Sequence, residues 1–351
     1  MHTFGQEANT GAPVSTPDES SSCVRGCSCG STQTPLGVTS DHIEDKGKFM
    51  LSYTYMNTAM KGNHIGSSSA SDADVYKNYM MAPETMQMQM HMAMLMYGIT
   101  DKLTVMAMGG YASNSMTMNM SDAMMNMPGM VMAPGNMTMY STSAGFTDTK
   151  VSALYNFSNN MSRHIVGSLG VNLPTGSIKA TGITMLGENQ RLPYDMQLGT
   201  GSVGILPDVT FVQTRGSFSY GVNGGANINL GKNALGYKVG NIYHATAWAG
   251  YRFLPFVSAS LRAEGIYQDK IQGQDAAMDN IYYKQSDPTT SAANYGGKWG
   301  SVYAGLNFHS MKPVLTKFKL LAEYGLPIYQ DLNGTQMALH ATLSAGLQYA
   351  F

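Results

Sequence analysis

The sequence predicts an all-β fold, a transmembrane up-and-down antiparallel β-barrel of about twelve strands with both termini periplasmic. Three observations carry this. Asp, Glu, Lys and Arg make up only 12% of the 351 residues, about half the share of a soluble domain. Alternation of apolar and polar side chains with period two recurs along the chain, as strands with one lipid-facing side require. No apolar run reaches the roughly 18 residues of a spanning helix, which excludes a helical membrane protein. The formal net charge of -1, from 21 basic and 22 acidic residues, offers no surface for nucleic acid.

Taken in chain order, alternating segments run near 47–57, 84–98, 102–112, 146–158, 163–174, 199–213, 218–230, 237–253, 257–267, 301–309, 317–326 and 339–351. The last is the clearest. Leu339, Ala341, Leu343, Ala345, Leu347, Tyr349 and Phe351 fall on one face, and His340, Thr342, Ser344, Gly346 and Gln348 on the other. Short links at 99–101, 159–162, 214–215, 254–255 and 310–314 alternate with long ones at 58–83, 113–145, 175–198, 231–236, 271–295 and 328–337. Short periplasmic turns and long outer loops are the habit of outer-membrane barrels, and an even strand number puts both termini on the short-turn side.

Segment 1–45 is expected to be a flexible periplasmic tail and 46–351 the barrel. The tail is rich in Ser, Thr, Gly and Pro and holds Cys23, Cys27 and Cys29. Three thiols cannot all pair within one chain, and the close spacing suits either a soft-metal clip or a disulfide without function. No positive and apolar leader is recognisable, so a signal peptide is expected to have been removed or to lie upstream.

Gly145-Phe146-Thr147-Asp148, Tyr97-Gly98-Ile99-Thr100-Asp101 and Leu173-Pro174-Thr175-Gly176 resemble motifs of small Gram-negative outer-membrane barrels regarded as transporters, the phenol meta-pathway-type group. The resemblance covers most of residues 40–351. It implies a monomeric barrel in the outer membrane with no catalytic residues. The terminal Tyr349 and Phe351 resemble the signal by which the barrel assembly machinery recognises such chains.

Methionine exceeds what a barrel needs. Of 30 methionines, 20 fall between Met80 and Met139. Met86, Met88, Met90, Met92, Met94 and Met96 form one complete face of the second strand. Gln87, Gln89 and His91 opposite them would be costly against acyl chains. A turn at Thr100 and Asp101 would also pair Met96 with Val105, an apolar-face residue. These Met are therefore expected to face lipid. In the long segment 113–145, Met116, Met118, Met120, Met124, Met125, Met127, Met130, Met132, Met137 and Met139 resemble the Met motifs of copper-handling proteins. Thioethers take Cu(I) or Ag(I) and need no deprotonation. The competing reading is a compositionally biased loop packed through flexible Met side chains.

The polar faces place His91, Lys150, His244, Arg262, Glu264, Lys319 and Glu323 in the lumen, where opposite charges brace the interior. No nucleophile elbow, phosphate loop or zinc motif appears, so no enzyme is expected. The expectation is an outer-membrane barrel that passes or binds a small solute. Its sharper form handles copper or silver through loop 113–145 and the Cys tail, with no obligatory cofactor. The alternative is a plugged structural or binding barrel without transport.

Overall fold

The computed structural model describes residues 33–121, 138–158, 162–309 and 317–351. The alternating segments form strands: β1 (Phe49–Gly66), β2 (Ser68–Ala70), β3 (Met81–Thr100), β4 (Leu103–Met120), β5 (Thr138–Phe146), β6 (Thr149–Asn156), β7 (Arg163–Leu173), β8 (Thr181–Thr184), β9 (Gly187–Arg191), β10 (Gly204–Arg215), β11 (Phe218–Asn229), β12 (Ile242–Leu254), β13 (Val257–Gln268), β14 (Gly297–His309) and β15 (Phe318–Ala350). Each long strand pairs antiparallel with its neighbours in the order β15-β14-β13-β12-β11-β10-β7-β6-β4-β3-β1, and β1 pairs with β15 to close the ring. Closure leaves no unpaired edge, which a sheet in lipid cannot tolerate.

Two elements need reading by their partners. On β4, Tyr111 opposes Phe146 of β5 and Met108 opposes Lys150 of β6, so β5 and β6 are one pass interrupted at Thr147 and Asp148. In β15, residues 319–332 pair with β14 and 332–350 pair with β1. The chain therefore reverses inside β15, at Asn333-Gly334, where Gly334 has φ 66. Such a turn needs a residue free to adopt the left-handed region. The ring contains twelve passes, the number read from the alternation.

The two faces are sorted as a bilayer requires. Leu261 is 69% exposed on the outside and its neighbour Arg262 is 5% exposed on the inside. Among the described residues no helix is long and apolar enough to cross a membrane. Outward aromatics gather at both ends of the wall. Phe49–Tyr97, Phe318–Tyr349 and Tyr349–Phe351 meet at 4.4, 4.4 and 4.6 Å between ring centres at the short-turn end. Tyr111–Phe146 and Tyr243–Tyr267 lie at 5.5 and 6.1 Å nearer the long loops. Such girdles suit the two interfaces of a membrane.

Three expectations are corrected. The Met face of β3 points into the lumen: Met86, Met94 and Met96 are 1%, 6% and 0% exposed, whereas Leu95 and Tyr97 are 45% and 39% exposed. The reason is register. Met96 pairs with Met106 and Tyr97 with Val105, one residue from the expected pairing, and such a slip turns every side chain to the other face. β3 also runs 20 residues, so Gln87 and Gln89 fall on its long-loop half, beyond the outward Leu95 and Tyr97. Second, His91 shares their outward face, its Nδ1 2.7 Å from the Tyr53 hydroxyl, and does not line the lumen. Third, residues 33–45 are no tail: Gln33, Thr34, Leu36, Val38, Asp41 and Glu44 are all buried, inside the ring.

Candidate functional site: the lumen and its lining

The lumen is filled from the short-turn end by an arch of chain, residues 33–48. Gln33 starts it, its amide 3.5 Å from the Ser217 carbonyl in the β10–β11 turn. The Thr34 carbonyl accepts from Asn307 at 3.1 Å, and Gly37 N–H donates to Glu323 Oε2 at 2.8 Å. The arch reaches furthest at Ser40, whose hydroxyl bonds to Asp208 and Thr210 on β10. It returns to the rim where Glu44 N–H donates to Thr104 Oγ1 at 2.8 Å and Gly47 N–H to the Gly98 carbonyl at 2.8 Å. Inward glycines leave room for it. A Cβ on Gly98 would lie 2.0 Å from the Asp45 carbonyl oxygen, and one on Gly250 or Gly346 would strike Gln33 or Leu36 at 2.6 Å.

The lumen-lining charges brace this filling. Arg262 faces Glu264 and Glu323, each at 3.2 Å, with its guanidinium 3.7 Å from the centre of the Tyr303 ring. Gly37 rests against that guanidinium. His244 Nε2 lies 3.1 Å from Asp208 Oδ2, and Asn223 donates to the same carboxylate at 2.8 Å. Lys150 is half-buried on the inward face of β6 beside Asp148, and Lys319 faces Asp41 of the arch. Apart from His91, the sequence-read lumenal residues are brought inside, as four separate groups.

His42 holds the arch electrostatically. Burial disfavours its charged ring, yet Asp41 at 2.6 Å and Glu44 at 3.5 Å outweigh that and raise its pKa to about 10. Burial likewise opposes the charge on Asp41, but His42, with Lys319, holds its carboxyl below the ordinary range. Leu36 seats on Gly346, Val38 packs on Val212 and Trp248, and Ile43 on the cluster of Met50, Met94, Met96 and Met106.

At the opposite end, loop segments fold over the mouth. The β8–β9 hairpin lies on β5 through the Ser141 hydroxyl, which donates to the Ile183 carbonyl at 2.6 Å. Tyr194, Tyr237, Ile271, Met278 and Tyr283 form an apolar cluster that joins three loops. Under the cap lies a cavity of about 290 Å³ lined by cap and strand residues that include Met60, Met88, Asp195, Tyr295, Trp299 and Gln336. Burial, then the nearby Asp287, push the Asp195 carboxyl up to about 7. Neither carboxylate takes part in an ion pair among the described residues.

The metal-ligand candidates divide. Met116, Met118, Met120 and Met139 are strand residues, buried with Met81, Met86, Met196 and Met337 in one cluster. Cys23, Cys27, Cys29, Met124, Met125, Met127, Met130, Met132 and Met137 lie outside the described residues. Among the described residues no three His, Cys, Asp or Glu side chains could hold a metal ion together. Sequence reading missed both the arch and the cap carboxylates. The inward glycines were a usable signal for the arch, since a glycine facing a filled lumen marks close approach of other backbone. Asp195 and Asp287 had none, because loop residues have no strand parity.

A search among curated proteins finds no match to the sequence. Among solved structures, an outer membrane channel from Pseudomonas putida F1 aligns over 87% of this chain and 96% of its own, with 13% identity and a TM-score of 0.56. A FadL homologue from Pseudomonas aeruginosa covers 91% and 95%, at 10% identity and TM-score 0.41. A monoaromatic hydrocarbon channel, CymD, covers 87% and 88%, at 11% identity and TM-score 0.37. At these identities the first likeness is one of fold, that of outer-membrane barrels. Residues 113–296, more than half of the chain, match the family described as "Putative MetA-pathway of phenol degradation", and the chain belongs to that family.

Proposed function

We propose that the chain is an outer-membrane channel for a small, largely apolar solute of phenol size, with no enzymatic role. The observation that carries this is the cavity of about 290 Å³ under the cap. Its walls are aromatic and thioether surface with a few polar groups, Asp195 and Gln336 among them, the usual make-up of a small-molecule site. The family description names phenol, and a ring with one hydroxyl matches such a lining. In this reading the short-turn end and both termini face the periplasm, the solute enters under the cap, and the arch must move for it to leave. The barrel works as a monomer and is inserted by the assembly machinery through Tyr349 and Phe351.

Two measurements test it together. Trp299 lines the cavity, so phenol should quench its fluorescence saturably in a Trp248→Phe background. Planar bilayers should show currents that grow when residues 33–45 are deleted. Absence of both quenching and current, before and after deletion, would leave the alternative, a plugged structural or binding barrel.

A second reading, handling of copper or silver, rests on a separate observation, the concentration of methionines on the inward faces of β1, β3 and β4. Cu(I) or Ag(I) would be a cargo here, met by the segment 113–145 and by the Cys tail.

A further inference from the structure

The buried cluster at the long-loop end is almost purely thioether. Eight of its nine buried members are methionines, Leu192 being the ninth, and Met60, Met80, Met88 and Met185 pack against it. Ordinary cores use Leu, Ile and Val, whose rotamers are few; Met orders three or more torsions for the same burial. The opposite wall of this lumen is built from Arg, Glu, Asn and Ser, as barrels usually are. Packing alone therefore gives no reason for this composition.

Within the cluster three chain segments converge. Met118 of β4 and Met139 of β5 are register partners. Met185 sits in the turn of the β8–β9 hairpin, which Ser141 ties to β5. These three line one enclosed cavity of about 10 Å³, about the space of a single water or bare ion. The same cavity is lined by Asp287, a carboxylate 3% exposed. Asp287 accepts from the Thr289 amide and hydroxyl and from the Ser286 hydroxyl, all neutral donors. A buried carboxylate without a cation is costly, and a monovalent cation beside it would supply the missing charge.

We propose that Met118, Met139 and Met185 form a binding site for one soft monovalent cation, Cu(I) or Ag(I), with Asp287 as its counter-charge. Thioethers are neutral and soft, so they select a d10 monovalent ion over Mg²⁺, Ca²⁺ or Zn²⁺. The site deepens the copper or silver reading and relies on it only for the class of ion. It stands apart from the solute channel, because it is read by binding and not by flux.

The test uses the full chain in detergent with Cys23, Cys27 and Cys29 changed to Ser, so that tail thiols do not compete. Silver nitrate is titrated in chloride-free buffer by calorimetry. One Ag(I) per chain should bind at this site, and Met118→Leu/Met139→Leu/Met185→Leu should weaken it at least about 100-fold, since even outer-shell partners are each worth about 10-fold or more. Asp287→Asn should weaken it less. Replacing Met124, Met125, Met127, Met130, Met132 and Met137 by Leu should leave this site intact. Undiminished Ag(I) binding by the folded triple variant, or loss only in the six-residue variant, would overturn the proposal. If the triple variant does not fold, silver-edge X-ray absorption of the six-residue variant decides: sulfur neighbours support the site, and oxygen or nitrogen neighbours alone refute it. Failure of phenol quenching and of currents would remove the channel reading without touching this result.

Discussion

Replacing Arg262 by Met keeps an unbranched apolar stem and removes the guanidinium with its charge. In the native barrel the guanidinium is 5% exposed and lies 3.2 Å from both Glu264 and Glu323. Glu323 is itself 3% exposed and also accepts Gly37 N–H. The single substitution strands two carboxylates in a region of low dielectric. Breaking a buried ion pair from one side costs about 3–5 kcal/mol, and one of these pairs is almost wholly excluded from solvent. Removing all three charges together, Arg262→Met/Glu264→Gln/Glu323→Gln, should recover most of that loss, because the penalty comes from the orphaned charge. The assay is equilibrium urea unfolding of chain inserted in lipid vesicles, followed by Trp fluorescence. A single variant within about 0.5 kcal/mol of the parent, the range of an ordinary surface change, would refute the bracing argument. So would a triple variant no more stable than the single one.

Other outcomes follow from the arch and the cap. Gly98→Leu places side-chain atoms where the Asp45 backbone lies; the arch should be displaced and single-channel conductance rise, and unchanged conductance would contradict its placement. His42 has a pKa raised to about 10 in the fold against 6.5 unfolded, so its contribution is complete below pH 6.5 and lost as pH climbs towards 10. Protease cleavage of the arch should therefore increase across that window, and His42→Gln should flatten the profile. Asp195 shifts stability in the same direction over a lower window: its carboxyl is raised to about 7 from 3.8, so the fold binds the extra proton and the cap loses stability as pH rises from 3.8 to 7. Asp195→Asn should abolish that slope in hydrogen exchange of residues 190–198. Deleting Phe351 should lower the amount of heat-modifiable barrel in outer membranes, while an undiminished yield would dissociate the terminal aromatic from assembly.

Alternation made the wall legible because lipid enforces it on every pass. The twelve passes, the outward Leu261 and Leu347, and the inward Arg262 and Glu323 all follow from that single constraint. The β3–β4 hairpin defeated it for a physical reason. Where both faces carry acceptable side chains, Met on one and Gln and Ala on the other, parity names no inside, and the face depends on a turn whose register must be known to one residue. Segment 113–145 was illegible in another way. Its ends pair with each other as strands, and 113–120 pairs with β3 as well, but Met alternating with Ser, Thr and Asn reads equally well as a Met-rich loop. The arch belongs to a third case. Ser, Gly and Pro suggest an unstructured tail, and residues 33–48 are ordered by groups supplied from β4, β10, β13, β14 and β15, none of them near in sequence.

The path of the arch bears on how the molecule is made. Both feet of the arch stand on one rim, Gln33 at the β10–β11 turn and Gly47 at the β3–β4 turn, and its crest at Ser40 goes no deeper than Asp208 and Thr210. Among the described residues the arch enters and leaves by the same mouth of the ring, so this segment is not threaded from one mouth to the other. The β1–β15 seam can close first and the arch can be laid in afterwards, and it can be withdrawn and relaid in a finished ring. Twelve passes and a filled lumen thus form two separable steps, the first driven by lipid and the second by the ions and hydrogen bonds that wait inside.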